Sequence, residues 1–179
     1  MGEVGLNHFL PPDPGLPLYL SLFELGVKAV SDPKQSASPL LQPGMVFGCV
    51  IPVRWGDLDA LNHVNNTVYM RYIEEARALL YAEAGFPVPG AREALLVHAS
   101  CDYLKPLRYP ATALIELQFV RVGRSSMEYD FIITTQEDPG TVYARGKNIT
   151  VNTDSVTGKS CAWTPEELAG YARCFKPAK

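Results

Sequence analysis

The chain has 179 residues, enough for one domain with extensions. Its 47% hydrophobic and 20% charged residues are those of an ordinary globular protein, and a formal net charge of −3 without a Lys/Arg cluster excludes the electrostatic footprint of a nucleic-acid binder. No apolar run is long enough to span a bilayer. Four widely spaced cysteines (Cys49, Cys101, Cys161 and Cys174) offer neither a CxxC pair nor metal-ligand spacing, so they read as free thiols in a reducing compartment. The N-terminus lacks a basic segment ahead of an apolar core, and residues 1–45 hold no Arg but several acids. Neither a secretory nor a mitochondrial leader fits, and the cytoplasm is expected.

Residues 1–45 form a Pro-rich N-terminal extension; Pro11, Pro12, Pro14, Pro17, Pro33, Pro39 and Pro43 oppose a regular sheet or long helix. A short amphipathic helix is predicted between them over Leu18 to Val27, packing on the domain or on a partner subunit. Met45 stands where the regular pattern begins and would serve as a start residue.

A first strand is expected from Val46 to Trp55. The polar loop Gly56 to Asn65 follows, with two carboxylates, a histidine and asparagines in ten residues. Asn65 is a natural helix N-cap. Tyr69, Tyr72, Ile73, Ala76, Leu80 and Ala84 then recur at three- and four-residue spacing, which predicts a helix of about 20 residues and about 30 Å. Arg71, Glu74, Glu75 and Arg77 lie off this stripe at pairing distance, and Gly85 and Pro87 end it. Four strand-like segments follow: Leu95 to Leu104, Thr112 to Val122, Met127 to Gln136 and Val142 to Thr153. Short turns join the last three into an antiparallel meander. Thr164, Pro165 and Glu167 open a C-terminal helix as N-cap, N1 and N3. The predicted class is α+β, with one antiparallel sheet wrapped around one long central helix. The domain spans 46–160, and residues 161–179 supply the C-terminal helix and tail.

The loop carries the candidate chemistry. A carboxylate and an imidazole beside unpartnered helix-start amides are the parts of an acyl-transfer or hydrolysis site, although Asp, Asn and Gly also cluster in such loops merely to make turns and caps. Asp57 and Asn65 read as turn and cap residues. His98, on a strand, reads as a packed core or interface residue, and Cys101 has no support as a nucleophile.

Arg54-Trp55-Gly56-Asp57-Leu58-Asp59-Ala60-Leu61-Asn62-His63-Val64-Asn65-Asn66-Thr67-Val68-Tyr69 resembles the opening motif of hot-dog-fold acyl thioesterases. The similarity is to the 4-hydroxybenzoyl-CoA thioesterase-like group and the acyl-carrier-protein thioesterases. Tyr103-Leu104-Lys105-Pro106-Leu107 and Val122-Gly123-Arg124-Ser125-Ser126 resemble later segments of the same family, and the likeness covers about residues 46–155. The resemblance implies Asp59 as the catalytic carboxylate and the Asn66 amide as the donor that polarises the thioester carbonyl. In the plant carrier-protein type the aspartate is followed at two and four residues by Asn and His; His63 matches the second position, whereas Leu61 stands at the first and Asn62 is offset by one. His63 orients Asp59, binds a water, or is structural. Lys105, Arg108 and Arg124 are candidates for the phosphates of coenzyme A, which enters as part of the substrate; no other cofactor and no metal is implied. A homodimer or tetramer with interface sites is implied as well. The Asp-x-Asn-Pro-x-His pattern of hot-dog hydratases is missing. Hydrolysis of an acyl-carrier-protein thioester and a non-catalytic acyl-CoA-binding module remain the rival readings.

Overall fold

The computed structural model describes residues 41–86 and 89–178. The elements are β1 (Val46–Pro52), α1 (Asn66–Ala84), β2 (Arg92–Tyr103), β3 (Thr112–Val122), β4 (Ser126–Thr135), β5 (Ala144–Asp154) and α2 (Pro165–Cys174), with a one-turn 3₁₀ helix over Trp55–Asp57. The five strands make one antiparallel sheet in the order β1-β3-β4-β5-β2. The α+β architecture and the β3-β4-β5 meander are as expected from the sequence. The predicted helix at 18–27 lies outside the described residues.

α1 begins where the Asn65 side chain accepts from Thr67 N at 2.9 Å, and ends at Gly85, whose φ of +89° is a left-handed conformation that costs glycine little. The predicted stripe of Tyr69, Tyr72, Ile73, Ala76, Leu80 and Ala84 is buried. It meets the inward side chains of β3 and β4, where Ile115, Leu117, Met127, Phe131 and Ile133 are almost wholly enclosed. The period of two in these strands is what aims every second residue at the helix.

Three local expectations need correction. β1 stops at Pro52, so Trp55 is not a strand residue; it sits in the 3₁₀ turn and is 77% exposed. Arg77 does not pair with Glu74 at the surface, nor does Arg71 pair with Glu75. Instead Arg77 is buried and donates Nη1 to Asn148 Oδ1 at 2.8 Å. β5 turns a fully buried amide toward α1, and that acceptor draws the long side chain inward. His98 is exposed on β2, next to Val97, where the β2–β5 register slips, so it is no core residue.

α2 packs on the C-terminal part of α1 through Tyr81–Tyr171 and Phe86–Tyr171 ring contacts. Its predicted capping box is formed: Thr164 Oγ1 accepts from Glu167 N at 3.1 Å, and Glu167 Oε2 accepts from Thr164 N at 2.8 Å. Glu167 also accepts from Arg92 Nε at 2.6 Å and from Asn152 Nδ2 at 3.2 Å. Burial works to raise this carboxyl, but the Arg92 and Thr164 hydrogen bonds outweigh it and hold the group below the usual glutamate range. Glu167→Ala should therefore lower the unfolding free energy by about 2 kcal/mol. Because the folded-state value is depressed, the contribution is present at neutral pH and disappears as pH falls through that value. Denaturant titrations of both proteins at pH 7 and in acid check this; equal stabilities at pH 7 would contradict it.

Candidate active site

The loop after the 3₁₀ turn is a miniature hairpin. Leu58 and Val64 form a bridge, Asp59 N donates to the His63 carbonyl at 2.8 Å, and Asn62 takes a φ of +58° at the tip. Asp59 shapes the turn itself, since its Oδ1 accepts from Leu61 N at 2.8 Å and from His63 N at 3.4 Å. Its Oδ2 carries no protein hydrogen bond among the described residues. The neighbouring carboxylate is used differently. Asp57 is buried, and its Oδ2 accepts from Arg54 N at 2.8 Å and from the Tyr72 hydroxyl at 2.7 Å. Burial, with the Asp57 carboxylate beside it, pushes the Tyr72 phenol far above its ordinary range, so it stays a donor. Asp57 thus ties the loop to the helix through one buried oxygen, and Asp59 is the carboxylate that lines the cleft described next.

The hairpin is pinned to the segment after β2: Val64 N donates to the Leu107 carbonyl at 2.8 Å, and Leu107 N donates to the Tyr69 hydroxyl at 3.1 Å. Between these pieces lies an open cleft of about 270 Å³ lined by Asp59, His63, Asn66, Tyr69, Tyr103 and Lys105. The Asn66 amide, the first of α1, has no acceptor among the described residues, as befits a helix-start donor. The Tyr103 hydroxyl donates to the Asn66 carbonyl at 3.0 Å, and its ring meets Tyr69 edge-on at 5.2 Å. Burial raises the phenols of both tyrosines, which keeps them protonated at neutral pH. His63 holds Asp59 through its backbone, while its Nε2 is buried without a partner.

The phosphate candidates separate. Lys105 lines the cleft and reaches Thr141 Oγ1 at 3.5 Å. Arg108 is exposed just beyond the pinned Leu107. Arg124 is exposed in the β3–β4 turn, at the far end of β3 from the loop, about 30 Å of strand away. Tyr69 and Tyr103 had no assigned role in the sequence. Tyr69 read as part of the apolar stripe, and only its three-residue spacing from Asn66 places it on the same helix face near the loop.

A family model described as the thioesterase-like superfamily matches residues 53–170, which include the loop, the cleft and most of the sheet. The chain belongs to the thioesterase-like superfamily. A protein of Aquifex aeolicus provisionally named an esterase is 30% identical over 108 residues, covering 58% of this chain and 84% of its own. Among solved structures, the PA2801 protein of Pseudomonas aeruginosa, provisionally called a thioesterase, is 36% identical with a TM-score of 0.65, over 67% of this chain and 93% of that one. A 1,4-dihydroxy-2-naphthoyl-CoA thioesterase from Synechocystis shares the fold at 18% identity, with a TM-score of 0.63 over 70% of this chain and 95% of its own. The sheet and central helix of this thioesterase-like chain are thus those of the hot-dog fold, and family membership sets the class of reaction as thioester hydrolysis.

Proposed function

We propose that the protein hydrolyses an acyl-CoA to the free acid and coenzyme A, with Asp59 as the catalytic carboxylate and the Asn66 amide as the oxyanion donor. The observation that carries this reading is that a carboxylate with one free oxygen and a helix-start amide with no acceptor line one cleft. Water placed by Asp59 Oδ2 attacks the carbonyl carbon and gives up its proton to that oxygen. The carbonyl oxygen becomes an oxyanion held by the Asn66 N–H, and the thiolate leaves as the C–S bond breaks. A positioned base contributes about 10²–10⁴-fold and one oxyanion donor about 10²–10³-fold. A thiolate is a good leaving group, so a strong acid is not required. Direct attack by Asp59 to give a mixed anhydride is the alternative route on the same residues; single turnover in ¹⁸O-water separates the two, since only that route labels the enzyme.

Lys105 and Arg108 stand where an exposed cation meets the phosphates of the carrier; Arg124 is too far from this cleft to serve it within one subunit. Lys105→Ala is expected to raise KM for acyl-CoA about 2- to 5-fold with kcat unchanged, and less at high salt. An unchanged KM would remove Lys105 from substrate binding.

The active form is read as a homodimer closed along β2. β2 is a 12-residue edge strand whose Leu95, Leu96 and Val97 are exposed, whereas the other edge, β1, has seven residues and is partly covered by a bridge from Val46 to Lys176. A two-fold axis pairs such an edge with itself. A cytoplasmic setting fits the four free thiols. Thiol release from acetyl-, arylacyl- and palmitoyl-CoA, beside acyl carrier protein loaded with the same groups, tests the activity. Release from acyl-CoA supports it; release from the carrier protein alone would transfer the reading to that carrier, and none from either would leave an acyl-binding module.

A further inference from the structure

Arg77 is a buried charge without a counter-charge. It is 8% exposed, yet it forms no ion pair among the described residues. The hydrogen bond it donates goes to Asn148 Oδ1, and a carboxamide cancels no charge. Arginine stays protonated, and a cation held under cover is costly until an anion meets it. The surroundings are also rich in donors and short of acceptors. Asn148 Nδ2 is buried without an acceptor, and the Tyr81 hydroxyl, one helical turn beyond Arg77, is buried without a partner. Arg77 lines a cleft of about 410 Å³ together with Thr67, Met70, Arg71 and Glu74 of α1, and Leu96 of β2. Two guanidiniums against one carboxylate leave that cleft one positive charge in excess, and Thr67 adds a hydroxyl donor.

This cleft continues the Asp59 cleft along the same face of α1. At about 100° per residue, Asn66, Met70 and Arg77 fall within about 40° of one another, and Arg77 lies about 16 Å beyond Asn66 along the axis. The geometry points to Arg77 as the residue that selects acyl groups ending in a carboxylate. The substrate class is then an ω-carboxyacyl-CoA, with its thioester carbonyl at the Asn66 amide and its far carboxylate on the Arg77 guanidinium. The inference rests on the thioesterase reading above and names the substrate of that same site. An extended chain advances about 1.2 Å per bond, so an acyl group of about eight carbons covers about 10 Å. The Arg77 side chain, leaning back toward the start of its helix, closes the remainder. Met70, between the two ends, gives the methylenes an adaptable apolar wall. A guanidinium takes a carboxylate through two parallel hydrogen bonds, whereas a methyl-ended chain leaves the buried charge unmet.

Octanedioyl-CoA and octanoyl-CoA differ only at that far end. The wild type should favour octanedioyl-CoA by at least about 10-fold in kcat/KM. Arg77→Gln should abolish the preference and keep octanoyl-CoA turnover within about 3-fold, the latter showing that the variant folds. Arg77→Lys, which keeps the charge without the fork, should restore part of it. Free octanedioate gives a readout that needs no hydrolysis: it should raise the melting temperature of the wild type, with octanoate as control, and leave Arg77→Gln unmoved. A wild type that turns over both thioesters equally would overturn the inference and leave the thioesterase reading intact. So would an Arg77→Gln protein that still prefers octanedioyl-CoA, or one that octanedioate stabilises as much as it does the wild type. Loss of both turnovers in Arg77→Gln would leave the decision to the wild-type preference and the Arg77→Lys ratio. A wild type inactive on every thioester would remove the hydrolysis reading, and the octanedioate shift would then decide the Arg77 site by itself.

Discussion

Asp59→Asn is expected to lower kcat for acyl-CoA hydrolysis by about 10²–10⁴-fold while leaving the fold in place. The size of the loss follows from what Asp59 supplies. Its Oδ1 is engaged by Leu61 N and His63 N, so the carboxylate is held in one orientation, and its Oδ2 has no hydrogen bond among the described residues. Asparagine keeps an oxygen in the Oδ1 position, and with it the turn that shapes the loop, but presents an amide nitrogen where a base is needed. A loss confined to kcat, with KM close to wild type, would mean that the group acts mainly in the transition state. The measurement is steady-state thiol release with unfolding curves and sedimentation for both proteins. Activity within a few-fold of wild type in a folded mutant would remove Asp59 from the chemistry.

Gly146→Ala is expected to cost about 3 kcal/mol of stability and to lower the melting temperature by about 10 °C, through packing alone. Gly146 lies in β5 with its missing side chain directed inward, opposite Phe131 on β4 and Cys101 on β2. A Cβ built there would stand 2.0 Å from the Ser100 carbonyl oxygen and 2.7 Å from Cζ of Phe131. The first neighbour is backbone, and the second is a ring that is itself almost wholly buried, so neither can yield cheaply. The glycine is what allows β2 to approach β5 closely beside the core, a common reason for glycine within a strand. Since β2 carries both Tyr103 and the proposed dimer edge, acyl-CoA turnover should fall as well. Thermal unfolding checks this; a melting temperature unchanged within 2 °C would mean that β2 accommodates the methyl group.

Much of this fold is written in local patterns. The Asn65 cap and the Thr164–Glu167 capping box each depend on a few adjacent residues, and the structure forms both of them. The place of the loop at the head of α1 was legible for the same reason. What was not legible depends on which elements meet. Arg77 is charged and off the apolar stripe, so periodicity assigns it to solvent; its burial is decided by Asn148, 71 residues away. Trp55 looks like the end of an apolar strand, but the chain leaves the sheet three residues earlier. The cavity ringed by Tyr81, Phe86, Trp163 and Tyr171 draws on α1, β2 and α2, and residues 161–179 read only as a C-terminal helix and tail because the contacts of the Tyr171 ring with Tyr81 and Phe86 join segments far apart in sequence. Tyr103 was visible only as part of a motif, and its part in the cleft comes from its hydrogen bond to the Asn66 carbonyl.

The most direct test of the central claim, that the free oxygen of Asp59 and the Asn66 amide act on one thioester, is a crystal structure of Asp59→Asn with intact phenylacetyl-CoA. The account predicts the thioester carbonyl oxygen at 2.7–3.1 Å from Asn66 N, with the residue 59 side chain facing the carbonyl carbon across room for one water. A thioester bound with its carbonyl away from the start of α1, or residue 59 turned out of the cleft, would contradict it.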